Sequence, residues 1–280
     1  MQSSLFFLRS FRHDKPQWSS FGRLPTVLRL AALFWGFLVA SQILQAASPL
    51  ILFRTGQSVS SRMMDARVLM IGDSLSVGGF GDAMQNFLIT YDHPSKVTIF
   101  AVCGSSPEHW LQSEPVFSSK CGYREYSAKN QQVLDFHDRV APPRMSAPKI
   151  EDLVKDYNPS IVIVQLGTNW MDELSSQTSV PDEARYAGIL ERMAVCLRGR
   201  RVIWILPPDS AHYSRNVQNT VERIIRSAAQ KFRFTVIESR SKTKYVIGRT
   251  GTDGVHYNEK ESQDWADLVI AELTKRKCLL

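Results

Sequence analysis

From residue 68 onward the chain alternates short, unbroken apolar runs with longer segments in which apolar positions recur every three or four residues. Val68-Leu69-Met70-Ile71 predicts a fully buried strand, followed by the small-residue turn Gly72-Asp73-Ser74 and a helix over Val77–Leu88. Residues 96–101 predict a second strand, ending at Val102-Cys103-Gly104-Ser105-Ser106. A helix over 150–157 precedes a strand over 161–166, and Pro181 starts a helix that runs to about Arg198. Then come a strand over 201–206 closed by Pro207-Pro208, a helix over 216–229, a short strand over 234–237 and a last helix over 259–275. Strand and helix alternate about five times, which predicts a parallel sheet covered by helices on both faces. Between Pro107 and Pro148 the periodicity fades, and its Trp, Tyr, Pro and polar residues predict an elaborated loop with one short helix. Loops of such length in a compact domain are usually functional or mobile.

Ahead of the first strand, residues 30–53 carry no charged side chain. A run of about 20 apolar residues spans a bilayer. Arg9, Arg12, Lys15, Arg23 and Arg29 precede it, outnumbering Arg54, Arg62 and Arg67 behind it, so the amino terminus is expected in the cytoplasm and the remainder outside. A cleaved signal segment is the competing reading. Gln45-Ala46-Ala47 is a weak cleavage site and the basic leader is long, which favours an uncleaved anchor. The expected division is a cytoplasmic leader (1–29), an anchor or signal segment (30–53), a tether (54–67) and a catalytic domain (68–280). That places the domain outside the cytoplasm on a single-pass anchor, or secreted if the segment is removed.

Composition adds limits. With 44% hydrophobic and 22% charged residues the chain is globular, and its net charge of +7 is scattered without a long basic block. Nucleic acid is therefore not the expected partner, whereas an anionic membrane surface or cell-wall polymer fits the charge. Export permits disulfides, and Cys103 with Cys121 is the expected pair, contributing about 3 kcal/mol in the chain-entropy model. No Cys or His pair has ligand spacing around a second pair, so no metal is expected.

Four segments fall at strand ends on one edge of the expected sheet, or just before the last helix. They are Gly72-Asp73-Ser74, Gly104, Gly167-Thr168-Asn169 and Asp253-Gly254-Val255-His256. Serine-based acyl transfer needs these types: a hydroxyl nucleophile, an imidazole to take its proton, and a carboxylate to fix the imidazole tautomer. Asp253 and His256 are spaced so that one turn presents both. The backbone N–H groups of Ser74 and Gly104 and the amide of Asn169 supply three donors for an oxyanion.

In these four ordered blocks the chain resembles the SGNH hydrolase superfamily, the GDSL esterases and lipases, from about residue 68 to the carboxyl terminus. The resemblance implies a three-layer α/β/α sandwich of flavodoxin type needing neither metal nor organic cofactor. It implies Ser74 as nucleophile, His256 as general base and Asp253 as its orienting acid, with Ser74, Gly104 and Asn169 forming the oxyanion hole. Many relatives have Asp after the block asparagine, where this chain has Trp170. Trp170, His109 and Trp110 are candidates for substrate contact, with packing as the alternative for the tryptophans. Asp73 is expected to order the nucleophile turn through backbone hydrogen bonds, and His212, which follows a strand end, lacks an acidic partner.

The leading expectation is an exported, anchored esterase that removes O-acyl groups, acetyl above all, from a cell-envelope glycan. The alternatives are a lipase, lysophospholipase or thioesterase; an O-acetyltransferase using the same residues; and a catalytically silent envelope-binding protein.

Overall fold

The computed structural model describes residues 66–91, 94–111, 117–119, 121–135, 145–176 and 182–280. The expected leader, anchor and nearly all of the tether lie outside the described residues. No helix among the described residues is long and apolar enough to cross a membrane.

In chain order the elements are β1 (Val68–Gly72), α1 (Ser74–Val77), α2 (Gly79–Tyr91) and β2 (Val97–Val102), then β3 (Ser118–Ser119), β4 (Gly122–Tyr126), β5 (Gln131–Asp135) and β6 (Met145–Ser146). They continue as α3 (Ile150–Tyr157), β7 (Ile161–Gln165), α4 (Thr168–Ser176), α5 (Glu183–Cys196), β8 (Arg201–Ile205), α6 (Arg215–Phe232), β9 (Thr235–Ile237) and α7 (Glu259–Lys275). Seven strands form the main sheet in the order β5-β4-β2-β1-β7-β8-β9. β2, β1, β7, β8 and β9 are parallel, while β4 and β5 add as an antiparallel hairpin. β3 and β6 pair separately.

The period-two alternation of the strands assigns each side chain to one of two cores. Val68 and Met70 of β1 join Ile163, Ile203 and Ile205 against α2 and α7, where Phe80 stacks on Trp265 with ring centroids 3.7 Å apart. Leu69 and Ile71 point the other way, joining Val162, Val164 and Trp204 against α3, α5 and α6. Every residue of β1, β2 and β7 is buried, which is why these strands read as unbroken apolar runs. Each such aliphatic side chain contributes roughly 1.5–3 kcal/mol.

The chain therefore has the three-layer α/β/α architecture, and it differs from the sequence pattern in several elements, α4 (Thr168–Ser176) among them. The weakly periodic stretch after Pro107 does hold a short helical turn, Pro107–Trp110, but it also adds the β4–β5 hairpin to the sheet. A buried arginine interrupts the apolar alternation of β4: Arg124 is 1% exposed. The segment after β1 is two helices rather than one, broken at Gly78.

This topology fixes where ligands meet the sheet. From β1 the chain first builds outward through β2, then returns to build β7, β8 and β9 on the other side. The crevice beyond the strand ends at such a reversal is where open α/β sheets bind ligands. Ser74 follows β1 and Asn169 follows β7, one on each side of it.

Candidate active site

The turn after β1 is built around a close approach. A Cβ on Gly72 would lie 2.2 Å from Ser76 Oγ, so only glycine lets the strand end meet the first turn of α1. Asp73 caps that turn, its Oδ1 accepting from the Leu75 N–H at 3.0 Å. Ser74 is thus the first helical residue, with Asp73 as the cap. Asp73 itself is fully buried, and its Oδ2 faces the Thr168 hydroxyl and Gln165 amide without closing a hydrogen bond of normal geometry. Burial pushes its carboxyl up to about 6, opposed by the Leu75 amide, the Thr168 and Gln165 side chains and His256.

Ser74, His256 and Asp253 form one relay. Ser74 Oγ lies 2.9 Å from His256 Nε2, and His256 Nδ1 lies 2.5 Å from Asp253 Oδ2. The carboxylate fixes the proton on Nδ1 and leaves Nε2 to accept from the serine hydroxyl. Asp253 Oδ1 also accepts from the Val255 and His256 N–H groups, each at 2.8 Å. Partial burial pushes the Asp253 carboxyl up, but the His256 side chain and these two amides outweigh it and hold the group down at about 2. The carboxylate is therefore ionised wherever the imidazole needs it. Both the His256 and Asp253 side chains remain about half exposed, at 47% and 50%, so water reaches the relay.

Residues remote in sequence hold the 253–256 turn. The Gly254 carbonyl accepts from Ser210 Oγ at 2.6 Å, Ala211 N at 2.9 Å and His212 N at 3.2 Å. Gly254 has a φ of +86°, and a Cβ there would lie 2.9 Å from the His212 backbone nitrogen. The Tyr245 hydroxyl accepts from Gly254 N at 3.1 Å and donates to the His256 carbonyl at 2.9 Å. Buried Asp209 anchors that tyrosine's loop, accepting from Tyr245 N at 2.9 Å. Ser210, Tyr245 and Asp209 do not stand out in the sequence, because each acts through a contact that no local pattern encodes. His212 serves the turn through its backbone.

The other two expected donors stand after the strands that flank β1. Gly104 follows β2, the neighbour of β1 on one side, and Asn169 lies in the first turn of α4, after the neighbour on the other. Asn169 Nδ2 donates to the Ser105 carbonyl at 2.8 Å, which ties the two flanks together and leaves its second N–H free for a ligand. The Cys103–Cys121 disulfide is present, immediately before Gly104. His109 stacks on Phe117 with ring centroids 4.0 Å apart, and Phe117 lies against Gly104. Burial lowers the His109 pKa against the pull of Glu108 and Glu173, and its Nδ1 accepts from Ser106 N, so the ring presents an Nε2–H donor.

The two tryptophan candidates require correction. Trp110 and Trp170 have no exposed surface. Trp110 Nε1 donates to Ser105 Oγ at 3.2 Å, and Trp170 Nε1 to Glu108 Oε2 at 2.8 Å, with its ring edge-on to Tyr186. Both brace the loops behind the donors, and neither faces the crevice. Among the described residues no group of three or more His, Cys, Asp or Glu is placed to hold a metal ion.

No protein-family model and no curated protein matches the sequence. Among solved structures, a putative arylesterase from Agrobacterium tumefaciens overlaps with a TM-score of 0.49 at 13% identity, covering 75% of this chain and 99% of the other. A carbohydrate acetylesterase from Sinorhizobium meliloti gives 0.46 at 13% identity over 75% and 99%. The catalytic domain of peptidoglycan O-acetyltransferase A from Streptococcus pneumoniae gives 0.44 at 15% identity over 76% and 94%. At such scores these likenesses carry no functional weight, and the chemistry is argued from the side chains alone.

Proposed function

We propose that the chain is a serine esterase of SGNH type, exported and membrane-anchored, that removes O-acyl groups, most simply acetyl, from a cell-envelope glycan. The observation that carries the reading is the continuous relay from Ser74 Oγ through His256 to Asp253, flanked by donors on both sides of the nucleophile. Ser74 Oγ attacks the ester carbonyl carbon as its proton passes to His256 Nε2. The oxyanion so formed is met by the N–H groups of Ser74 and Gly104 and the Asn169 amide. His256 then returns the proton to the departing sugar hydroxyl, leaving an acyl-serine. Water, deprotonated by His256, attacks that ester, and the acid departs as Ser74 regains its proton. Asp253, ionised throughout, stabilises the imidazolium of both steps.

Two features support the finer parts. The disulfide beside Gly104 suits an oxidising compartment, as export requires. The half-exposed relay suits a bulky polymeric substrate and admits the hydrolytic water.

The test is release of acetate from O-acetylated polysaccharide and hydrolysis of p-nitrophenyl acetate beside a long-chain ester. Ser74→Ala should abolish turnover, Asp253→Asn should lower kcat by about 10⁴-fold, and Asn169→Ala by about 10²–10³-fold. Faster turnover of the long-chain ester would replace the glycan reading with a lipase. Acetyl transfer to a sugar hydroxyl outpacing acetate release would make the enzyme a transferase.

A further inference from the structure

The edge of the sheet opposite Ser74 has a charge of its own. The parallel strands begin together there: Val68 is in register with Val97 and Ile161, and Ile161 with Arg201. Arg67 precedes β1, Lys96 precedes β2, and Arg201 opens β8. The helices that run back across the sheet end at the same edge. They add Lys155 at the end of α3, Arg198 after α5, Arg233 after α6, and Lys275 and Lys277 at the end of α7.

Hydrogen bonds join these ends into one surface. Arg67 Nε donates to the Asn158 carbonyl, Arg200 Nη2 to Asn158 Oδ1, and Arg201 Nη1 to the Cys278 carbonyl. Lys155, Arg198, Arg233, Lys275 and Lys277 are exposed, and none of the ion pairs among the described residues uses them. The acids on this side are engaged elsewhere: Asp156 faces Lys129 at 3.9 Å, and Glu272 holds Lys242 at 2.8 Å and Arg276 at 3.0 Å.

Helix dipoles account for some of these cations, since helix C-termini favour positive charge. They do not account for Arg67, Lys96 and Arg201, which stand at strand starts. The same edge is where the chain enters the domain, at Arg67, a short distance in sequence after the uncharged run 30–53. The Ser74 end of β1 lies about 17 Å further on.

We propose that this cationic edge docks on the anionic headgroups of a membrane, holding the Ser74 edge outward toward the envelope. The inference deepens the anchored reading and rests on it. A bilayer is favoured over a soluble polyanion because the cations are spread over one broad edge and share it with the chain entry. Each lysine or arginine held near an anionic surface strengthens partitioning about fivefold, and added salt screens the effect.

The experiment uses the 54–280 fragment, which forms a compact unit of its own, with vesicles of phosphatidylcholine alone or mixed with phosphatidylglycerol. The fragment should sediment with the mixed vesicles, be released by high salt and ignore the neutral ones. The triple variant Arg198→Glu, Lys275→Glu, Lys277→Glu should bind about a hundredfold or more weakly and hydrolyse p-nitrophenyl acetate as before. Should charge reversal prevent folding, the glutamine set at the same positions and the salt release of the unaltered fragment give the same reading. Equal binding to neutral vesicles, unchanged binding by the variants, or tighter binding to soluble heparin than to the mixed vesicles would each overturn the proposal. Vesicle binding without any ester hydrolysis would instead overturn the esterase and leave this surface standing.

Discussion

One residue before the proposed nucleophile, Asp73 sits with no exposed surface and a carboxyl raised to about 6. Its unfolded counterpart titrates near 3.8, so between that pH and about 6 the folded chain holds a proton that the unfolded chain has released. Stability from this group is greatest on the acid side, declines as pH rises through that window and is level above it. Ionised Asp73 at neutral pH thus costs on the order of 3 kcal/mol. His256 opposes the rise of the Asp73 carboxyl, so the two groups are electrostatically linked in the proposed reaction. Asp73→Asn keeps an acceptor for the Leu75 N–H. It is expected to raise the melting temperature above pH 6, flatten the decline between pH 4 and 6, and lower kcat by about tenfold. Thermal melts across pH, paired with kinetics, check both halves; a variant less stable at pH 7 would contradict the account. At this scale the meeting of Ser74, Asp253 and His256 was legible in the sequence because they are reactive types in local patterns. Tyr245, Asp209 and Ser210, which fix the relay, were not, because their work is done by single hydrogen bonds across the fold. Trp170 misled for the opposite reason: its place beside Asn169 suggested a substrate wall, while its ring turns into the core.

The β4–β5 hairpin is the element that sequence pattern hid, and it reaches the proposed nucleophile from behind. Arg124 on β4 donates from Nε to the Ser76 carbonyl at 3.0 Å and from Nη2 to the Val77 carbonyl at 2.8 Å and Asp82 Oδ1 at 2.6 Å. Its Nη1 reaches Gln85 Oε1 at 2.9 Å. A strand position occupied by arginine reads as solvent-facing, yet here a full set of acceptors satisfies the guanidinium inside the protein. These bonds hold the carbonyl end of α1, whose first residue is Ser74. Arg124→Gln should destabilise by about 3 kcal/mol and lower kcat more than it changes KM, since the substrate crevice is untouched. Arg124→Lys, keeping the charge but losing the planar fork, should recover stability better than kcat. Full recovery of both stability and kcat by the lysine would reduce Arg124 to a charge in the core. The α4 helix was also missed: Thr168–Ser176 follows a glycine and begins with two poor helix formers, so only its packing of Trp170, Met171 and Leu174 declares it.

At the scale of the whole molecule, the alternation of buried strands and amphipathic helices was sufficient to read the layered sheet, because a parallel sheet whose central strands are buried on both faces leaves little room for another arrangement. The topology also decides when the molecule becomes competent. Ser74 and His256 are 182 residues apart, and their hydrogen bond needs β1, β7, β8 and α7 all in place. Contacts of such long sequence separation form late and slowly in parallel sheets. During refolding with the disulfide intact, tryptophan fluorescence from Trp204 and Trp265, buried in opposite cores, should recover before ester hydrolysis does. Coincident recovery would mean that the sheet closes in a single concerted step. The relay is in this sense a clock on the fold: a chain in which the 253–256 turn has not yet docked has the proposed nucleophile without its proposed base. Under the proposed reaction such a chain is chemically idle, and reactivity waits until the 253–256 turn has joined β1.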